Sequence, residues 1–184
     1  MRIVAGAWRG RALVAPAGRA TRPTADRVRQ ALFDMLLHAP WGGRGRVEGA
    51  EVLDVFAGTG AFGLEALSRG AGGATFVETE TAALAALHAN IAACHAEDRC
   101  TVLAMDVFAV AAGEPAGLVF LDPPYHRNLV PRAVAHLQAA GRLAPDALLI
   151  AETARDEASL TPDPLAERSH GSARITVWRQ NRPV

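Results

Sequence analysis

The chain has 184 residues, of which 50% are hydrophobic and 21% are charged, with a formal net charge of zero. This composition is typical of a globular domain and excludes a disordered or fibrous protein. Two cysteines are too few for a disulfide framework, and no apolar run approaches the ~20 residues of a membrane helix. Since the opening residues show no signal-peptide pattern either, we expect a cytoplasmic protein.

The zero net charge conceals a basic N-terminal segment. Residues 1–46 contain nine arginines and two acids, a balance of +7, and residues 47–184 contain ten arginines and seventeen acids, a balance of −7. A basic segment on a neutral protein suits a polyanion such as RNA, although a solvated arm would have the same composition. The candidate RNA contacts are Arg9, Arg11, Arg22, Arg27 and Arg29.

The basic segment has predictable elements of its own. Short alternating runs around Gly6 and Gly10 predict a β-hairpin with Trp8 at its turn. Thr24 is a suitable N-cap for a helix over residues 25–38. Its arginines fall outside the one apolar face that the spacing of the other side chains predicts. That face consists of Val28, Ala31, Leu32, Met35 and Leu36.

Glycines at positions 42, 43 and 45 mark a linker after this helix. We therefore expect a basic hairpin-helix extension at residues 1–46 and a catalytic domain at residues 47–184.

From residue 51 the chain alternates between apolar strands and helices, as a parallel sheet covered on both faces requires. Two further strands near residues 164–169 and 173–179 have no helix between them and predict an antiparallel hairpin. The expected fold class is therefore α/β and Rossmann-like, with a mostly parallel seven-stranded sheet. The other predicted strands are 51–56, 74–78, 100–104, 118–121 and 147–151, and the predicted helices are 61–69, 80–94, 107–112 and 128–140.

A glycine-rich loop links the first of these strands to the next helix. Gly58, Gly60 and Gly63 allow a tight turn and let a ligand approach the backbone, and we count Phe56 with them as a cofactor contact. Glu78 ends the second strand twenty residues after Gly58, where a carboxylate can accept both hydroxyls of a ribose. This arrangement serves either NAD or S-adenosylmethionine.

Two further acids favour S-adenosylmethionine. Asp54 precedes the glycines at the end of the first strand, where it would repel the pyrophosphate of NAD. S-adenosylmethionine carries an ammonium and a sulfonium and no phosphate, so an acid is favourable there. Asp106 closes the third strand, where it could accept the amino group of an adenine. With Glu78, these acids lie at successive strand ends, which predicts a ligand crevice.

The tetrad Asp122-Pro123-Pro124-Tyr125 follows the fourth strand. The exocyclic amine of a base is a poor nucleophile because its lone pair is delocalised into the ring. Asp122 and the carbonyl of Pro123 can each accept one N–H and so favour a pyramidal nitrogen. Tyr125 offers a face on which an unpaired base can stack. Such chemistry needs no metal, and Cys94, His95 and Cys100 fit no zinc spacing.

The chain resembles the bacterial small-subunit ribosomal RNA guanine methyltransferases of the RsmD type over nearly its whole length. The shared segments are residues 2–6, 8–11, 22–29, the glycine loop with residues 63–71, and the tetrad. The resemblance implies methylation of the 2-amino group of one guanine in 16S ribosomal RNA, free or in a small-subunit assembly particle, by a monomer. It also implies that residues around Thr24 and Arg27 pack over cofactor and target.

The chain departs from the family at one point, because His170-Gly171 stands where relatives often have Tyr-Gly. Family members carry Tyr or Phe at the last position of the tetrad, so the resemblance implies that the hydroxyl of Tyr125 is dispensable. Three alternatives stay open at this stage. They are a DNA adenine-amino methyltransferase, an RNA-binding assembly factor that has lost catalysis, and an NAD oxidoreductase.

Overall fold

The computed structural model describes residues 1–16 and 23–180, the side chains of residues 23–25 excepted. Helices and strands alternate along the chain, except that only a 3-10 turn separates the third strand from the fourth and that no helix lies between the last three described strands. The helices are α1 (Pro23–His38), α2 (Ala61–Ser68), α3 (Thr81–Cys94) and α4 (Leu129–Ala139). The strands are β1 (Glu51–Val55), β2 (Gly73–Glu78), β3 (Cys100–Ala104), β4 (Ala116–Leu121), β5 (Leu143–Ala154), β6 (Ala166–His170) and β7 (Ala173–Arg179).

The strands form a seven-stranded sheet in the order β3-β2-β1-β4-β5-β7-β6. Strands β1 to β5 are parallel, and β7 pairs antiparallel with both β5 and β6. The order reverses between β1 and β4, and in open α/β sheets ligands bind beyond the carboxyl ends of the strands at such a reversal. The predicted Rossmann-like α/β fold, with its antiparallel hairpin at the end, is therefore confirmed.

The basic N-terminal segment packs against the sheet domain. Its first residues form a hairpin, with an antiparallel bridge between Arg2 and Ala12. Ile3 and Leu13 from the hairpin belong to the same buried cluster as apolar side chains of α2 and the sheet. Polar contacts add to this packing, because the buried side chain of Asn90 on α3 accepts the Val14 N–H at 2.7 Å and donates to its carbonyl at 3.0 Å.

Helix α1 differs from its prediction in two respects. It begins at Pro23, so Thr24 lies within its first turn and is not the N-cap. Proline is well tolerated at the first helical position, where its missing N–H costs no hydrogen bond. The buried face is also rotated by about one residue relative to the predicted one, since Ala31 is exposed and Arg29 is buried. The face consists of Arg29, Leu32, Phe33 and Leu36.

Arg29 is buried because a buried acid from another helix faces it. Glu65 on α2 is fully buried and accepts from the Nε of Arg29 at 3.5 Å and from the Nε of Arg69 at 2.8 Å. The same carboxylate accepts the backbone N–H groups of Val4 and Ala5 at 2.8 and 3.0 Å. A buried charge must be paired and hydrogen-bonded to be tolerated, and Glu65 meets that condition while joining α1, α2 and the hairpin.

The predicted helix over residues 107–112 is wrong, since only one 3-10 turn forms, at Val107–Ala109. Asp106 caps this turn by accepting the Phe108 N–H at 2.9 Å, and the chain leaves it extended at Val110. Gly113 and Pro115 follow closely, and both residue types oppose helix continuation. Among the described residues, no helix is long and apolar enough to cross a membrane.

Candidate active site

A cavity of about 1090 Å³ opens at the carboxyl ends of the parallel strands. Side chains that follow β1, β2, β3 and β4 line it, and Glu152 of β5 joins them. The β6–β7 turn at His170–Gly171 closes one side, and Ala15 and Pro16 after the N-terminal hairpin border it as well. The residues of the predicted cofactor crevice and those of the tetrad therefore border one continuous space.

The three loop glycines have different roles. Gly58 lines the cavity at φ +55, and a Cβ built on it would meet no protein atom within 4 Å. A Cβ on Gly60 would come within 2.4 Å of Leu87 Cδ1, and one on Gly63 within 2.4 Å of Phe76 Cε1. Gly58 therefore leaves room for a ligand, whereas Gly60 and Gly63 allow α2 to pack closely on its neighbours.

Phe56 starts the glycine loop in a left-handed backbone conformation, at φ 61, and lines the cavity. Such a conformation is costly for a bulky aromatic residue and persists only where the surroundings enforce it. Strain of this kind at the mouth of a cavity supports a role in binding, since it accumulates at functional sites.

Asp54 lies beneath the glycine loop with 2% of its surface exposed and accepts the Gly63 N–H at 2.9 Å. Burial raises its pKa to about 8, the Gly63 hydrogen bond opposes that rise, and the nearby Asp122 and Glu78 add to it. A cation bound beside this carboxyl would favour its ionised form. The site therefore suits the ammonium group of an amino-acid-like ligand.

Glu78 accepts three backbone N–H groups. Its Oε2 accepts from Gly58 at 2.8 Å, and its Oε1 accepts from Thr79 at 2.6 Å and from Glu80 at 2.8 Å. These bonds hold the carboxylate at the cavity wall and fix the start of the glycine loop. Each carboxylate oxygen has two lone pairs, and Oε1 already accepts two N–H groups. Oε2 therefore keeps one lone pair with which to accept a ribose hydroxyl, one fewer than the two hydroxyls expected from the sequence.

The cavity fits S-adenosylmethionine in its size, in the open space at Gly58 and in the acidic side chains that line it. Asp54, Glu78 and Asp106 all line it, and carboxylates suit a ligand with a cationic centre and hydroxyl donors. The described residues offer no group of three or more His, Cys, Asp or Glu side chains that could hold a metal ion.

The tetrad follows β4, next to the cofactor residues. The Asp122 N–H donates to the Val55 carbonyl at 3.4 Å, Pro123 is buried, and Asp122 itself is exposed at the cavity. Tyr125 is half-buried, and its hydroxyl donates to Glu152 Oε1 at 2.5 Å. Burial raises the Tyr125 pKa above its ordinary value, and the bond to Glu152 raises it further. The phenol is therefore a stable donor at neutral pH.

Glu152 is a site residue that the sequence analysis missed. It lines the cavity beside Asp122 and Tyr125. Its signal was present, since Glu152 directly follows the apolar run predicted as a strand over residues 147–151, as Asp122 follows the one over residues 118–121. Arg127, exposed just after the tetrad, was missed in the same way and also lines the cavity.

The candidate RNA contacts are divided among different environments. Arg9, Arg11 and Arg27 are exposed, and Arg11 also donates to the Ala93 carbonyl. Arg29 is only 2% exposed and bonds to Asp26, Glu65 and the Arg2 carbonyl, so the prediction that it contacts RNA is corrected to a structural role. Arg22 and the side chain of Thr24 lie outside the described residues.

Comparisons with known proteins show to which family the chain belongs. The family described as Conserved hypothetical protein 95 matches residues 1–179. Ribosomal RNA small subunit methyltransferase D of Escherichia coli K12 is 42% identical over 154 residues, which cover 83% of this chain and 74% of the relative. The protein of the same name from Haemophilus influenzae is 37% identical over 168 residues, covering 89% and 83% of the two chains.

Solved structures show the same fold. The yhhF protein of Escherichia coli superposes with a TM-score of 0.84 at 34% identity, over 100% of this chain and 99% of that one. An RNA methyltransferase from Salinibacter ruber, solved with S-adenosyl-L-homocysteine, superposes with a TM-score of 0.64 over 90% and 95% of the two chains. At 15% identity the second likeness concerns the fold only.

Proposed function

The chain belongs to the Conserved hypothetical protein 95 family, that of the RsmD-type ribosomal RNA methyltransferases, and from this premise we propose that it methylates the 2-amino group of a guanine in 16S ribosomal RNA. The relatives and the fold support a ribosomal RNA methyltransferase that uses S-adenosylmethionine. S-adenosylmethionine, when bound, supplies a methyl group on a sulfonium.

One observation supports the proposal most directly. A single cavity of about 1090 Å³ is lined both by the predicted cofactor residues and by the tetrad. Asp54, Gly58, Glu78 and Asp106 line the part where we place the cofactor, and the tetrad lines the adjoining part. A methyltransferase needs these two sites in contact, because proximity and orientation supply much of its rate enhancement.

In the proposed mechanism Asp122 accepts one N–H of the target amine and the carbonyl of Pro123 accepts the other. Two acceptors in this arrangement favour a pyramidal nitrogen whose lone pair is available. As the nitrogen becomes cationic, the charge of Asp122 stabilises it, and the carboxylate can take the proton that the amine releases. The fixed φ of the prolines presets the aim of the Pro123 carbonyl.

We assign the RNA contacts to the exposed arginines of the basic segment and the stacking contact to the ring of Tyr125. Arg27 lies on α1 beside Val28 and Arg29, which line the cavity. Arg9 and Arg11 lie on the N-terminal hairpin, of which Met1 lines the cavity. Arginine side chains of this kind bind phosphates, whereas an aromatic face accepts an unpaired base. The partner is 16S ribosomal RNA, free or in a small-subunit assembly particle, and we propose that the enzyme acts as a monomer.

Transfer of radiolabelled methyl groups tests the proposal, with naked 16S RNA, assembled 30S particles and duplex DNA offered in parallel. We expect label in one of the ribosomal substrates, recovered as 2-methylguanosine after digestion. Label in adenine of DNA would establish the rival DNA methyltransferase. RNA binding without methyl transfer to any of these substrates would establish an assembly factor that has lost catalysis.

A further inference from the structure

Glu152 and Asp122 occupy equivalent places along neighbouring strands, Asp122 directly after the end of β4 and Glu152 within β5. Leu121 of β4 pairs with Ala151 of β5, so the two acids are the next residues along each strand. Neighbouring strands lie about 4.8 Å apart. Both acids line the main cavity, and both also border a small cavity of about 10 Å³ beneath it. Two carboxylates therefore lie side by side at the target end of the site.

Glu152 is held in place by a side chain of the tetrad. The Tyr125 hydroxyl donates to its Oε1 at 2.5 Å, and this phenol stays protonated at neutral pH because burial and the bond itself raise its pKa. Oε2 of Glu152 accepts no hydrogen bond from the residues that the structure describes. A carboxylate fixed through one oxygen presents the other as a directed acceptor.

Two adjacent acceptors match only one of the four RNA bases. Guanine carries two neighbouring donors on its Watson–Crick edge, N1–H and the 2-amino group. Adenine and cytosine each place a ring nitrogen acceptor beside their amino group, and uracil places its N3–H between two carbonyls. A carboxylate beside a ring nitrogen acceptor would be repelled, because neither group has a proton to share.

We propose that Glu152 selects guanine, with Oε2 accepting the N1–H of the base while Asp122 accepts the 2-amino group. The Tyr125 hydroxyl then serves as a positioning group that fixes Glu152 for this contact, which departs from the expectation, implied by the family resemblance, that this hydroxyl is dispensable. The inference rests on the proposed function and extends it, because it identifies the side chain in this chain that distinguishes guanine from the other bases.

The test uses 2-aminopurine, which keeps the reactive 2-amino group of guanine but has an unprotonated N1. Fragments of 16S ribosomal RNA, assembled by ligation, carry guanine or 2-aminopurine at the nucleotide that the parent enzyme methylates. We expect the parent to methylate 2-aminopurine roughly 10- to 100-fold more slowly than guanine, the discrimination expected of one well-placed contact to a base.

Glu152→Gln should reduce this preference to within about threefold, because an amide can donate to an unprotonated N1 as well as accept from N1–H. Glu114→Gln is the matched control, since Glu114 is exposed and does not line the cavity, and it should keep the parent preference. Affinity for S-adenosylhomocysteine, measured by calorimetry, should be unchanged in both variants. If the glutamine variant fails to fold, Glu152→Asp replaces it in the test. It should also lower the preference for guanine, because its shorter side chain moves the carboxylate away from N1 of the base.

Two outcomes distinguish the selection of guanine by Glu152 from the proposed methyl transfer to guanine. If the parent methylates guanine and the Glu152 variants keep its preference over 2-aminopurine, the selection by Glu152 is wrong and the proposed function stands. If the parent transfers no methyl group to guanine in any ribosomal substrate, both are overturned.

Discussion

The two ends of the cavity hold their carboxylates by different means. At the cofactor end, Asp54, Glu78 and Asp106 each accept at least one hydrogen bond from a main-chain N–H group. At the target end, Glu152 is bound instead to a side chain, the hydroxyl of Tyr125. Asp122 also belongs to the target end, and its own N–H is bonded to the Val55 carbonyl of the neighbouring strand.

This difference shows how one cavity can combine a cofactor site held by the backbone with a base site whose contacts depend on side chains. Main-chain N–H donors are present whatever side chains a segment carries. The acids at the cofactor end are therefore held in place whenever the neighbouring loops adopt this backbone conformation. A contact between two side chains can be altered without disturbing the backbone. We therefore expect substitutions at the target end to change turnover and base preference, and those at the cofactor end to change affinity for the cofactor.

The largest expected effect comes from Asp122→Ala, which should lower the rate of methyl transfer by ~10²–10³ because it removes a contact that strengthens in the transition state. Asp122→Asn should retain some activity, since it keeps one acceptor oxygen and loses only the charge. Single-turnover rates on saturating RNA measure both variants.

Cofactor affinity is the control for this prediction, because Asp122 belongs to the target end. Calorimetry should show nearly unchanged binding of S-adenosylhomocysteine to Asp122→Ala. Near-parent rates in that variant would mean that the tetrad is a structural turn and that the active site lies elsewhere.

Glu78→Ala should have the converse effect and weaken cofactor binding by about 1–3 kcal/mol, because it removes the acceptor for a ribose hydroxyl and for three backbone N–H groups. Titration calorimetry with S-adenosylhomocysteine measures the loss. Glu97→Ala, at an exposed acid outside the cavity, should bind as the parent does. Unchanged affinity in Glu78→Ala would contradict the ribose assignment.

Asp54 predicts a smaller effect that depends on pH. With its pKa raised to about 8, Asp54 is protonated in the free protein at pH 7. A cationic ligand beside it favours the carboxylate, so binding should release up to one proton, and affinity should rise with pH and level off above about 8. The gain should not exceed tenfold per pH unit.

Calorimetry of S-adenosylhomocysteine binding between pH 6 and 8, in two buffers of different ionisation enthalpy, counts the released protons. In Asp54→Asn the group cannot titrate, so its share of the proton release should disappear. Equal proton release in the parent and in Asp54→Asn would show that Asp54 does not face the cation.

The smallest expected effect concerns the basic segment, which should influence RNA alone. Replacing Arg9 and Arg11 by Gln should reduce the salt dependence of RNA binding by about 0.7 to 0.9 in log–log slope for each phosphate that is no longer neutralised. Cofactor affinity should stay as in the parent. The exposed pair Arg155 and Arg168, which lies outside the basic segment and is replaced in the same way, is the control, and equal reductions in both double variants would show a nonspecific charge effect.

Local patterns were sufficient for most of the fold. The bounds of β1, β2 and β3 differ from their predicted ranges by at most one residue, and the antiparallel hairpin of β6 and β7 was also predicted. These elements depend on hydrophobic period, turn residues and strand length, which neighbouring residues determine. The helix predicted over residues 107–112 failed because its capped start is followed too soon by Gly113 and Pro115.

The sequence by itself determined that the two sets of functional residues lie together, since a glycine loop after β1 and the tetrad after β4 must meet at one edge of a doubly wound sheet. Only the tertiary structure decided which charged groups meet across long separations in the chain. Arg29 is buried because Glu65, 36 residues later, faces it, and Glu152 joins the site because it meets Tyr125, 27 residues earlier. An isolated arginine or glutamate is too costly to bury, so its position depends on a partner that only the folded chain supplies.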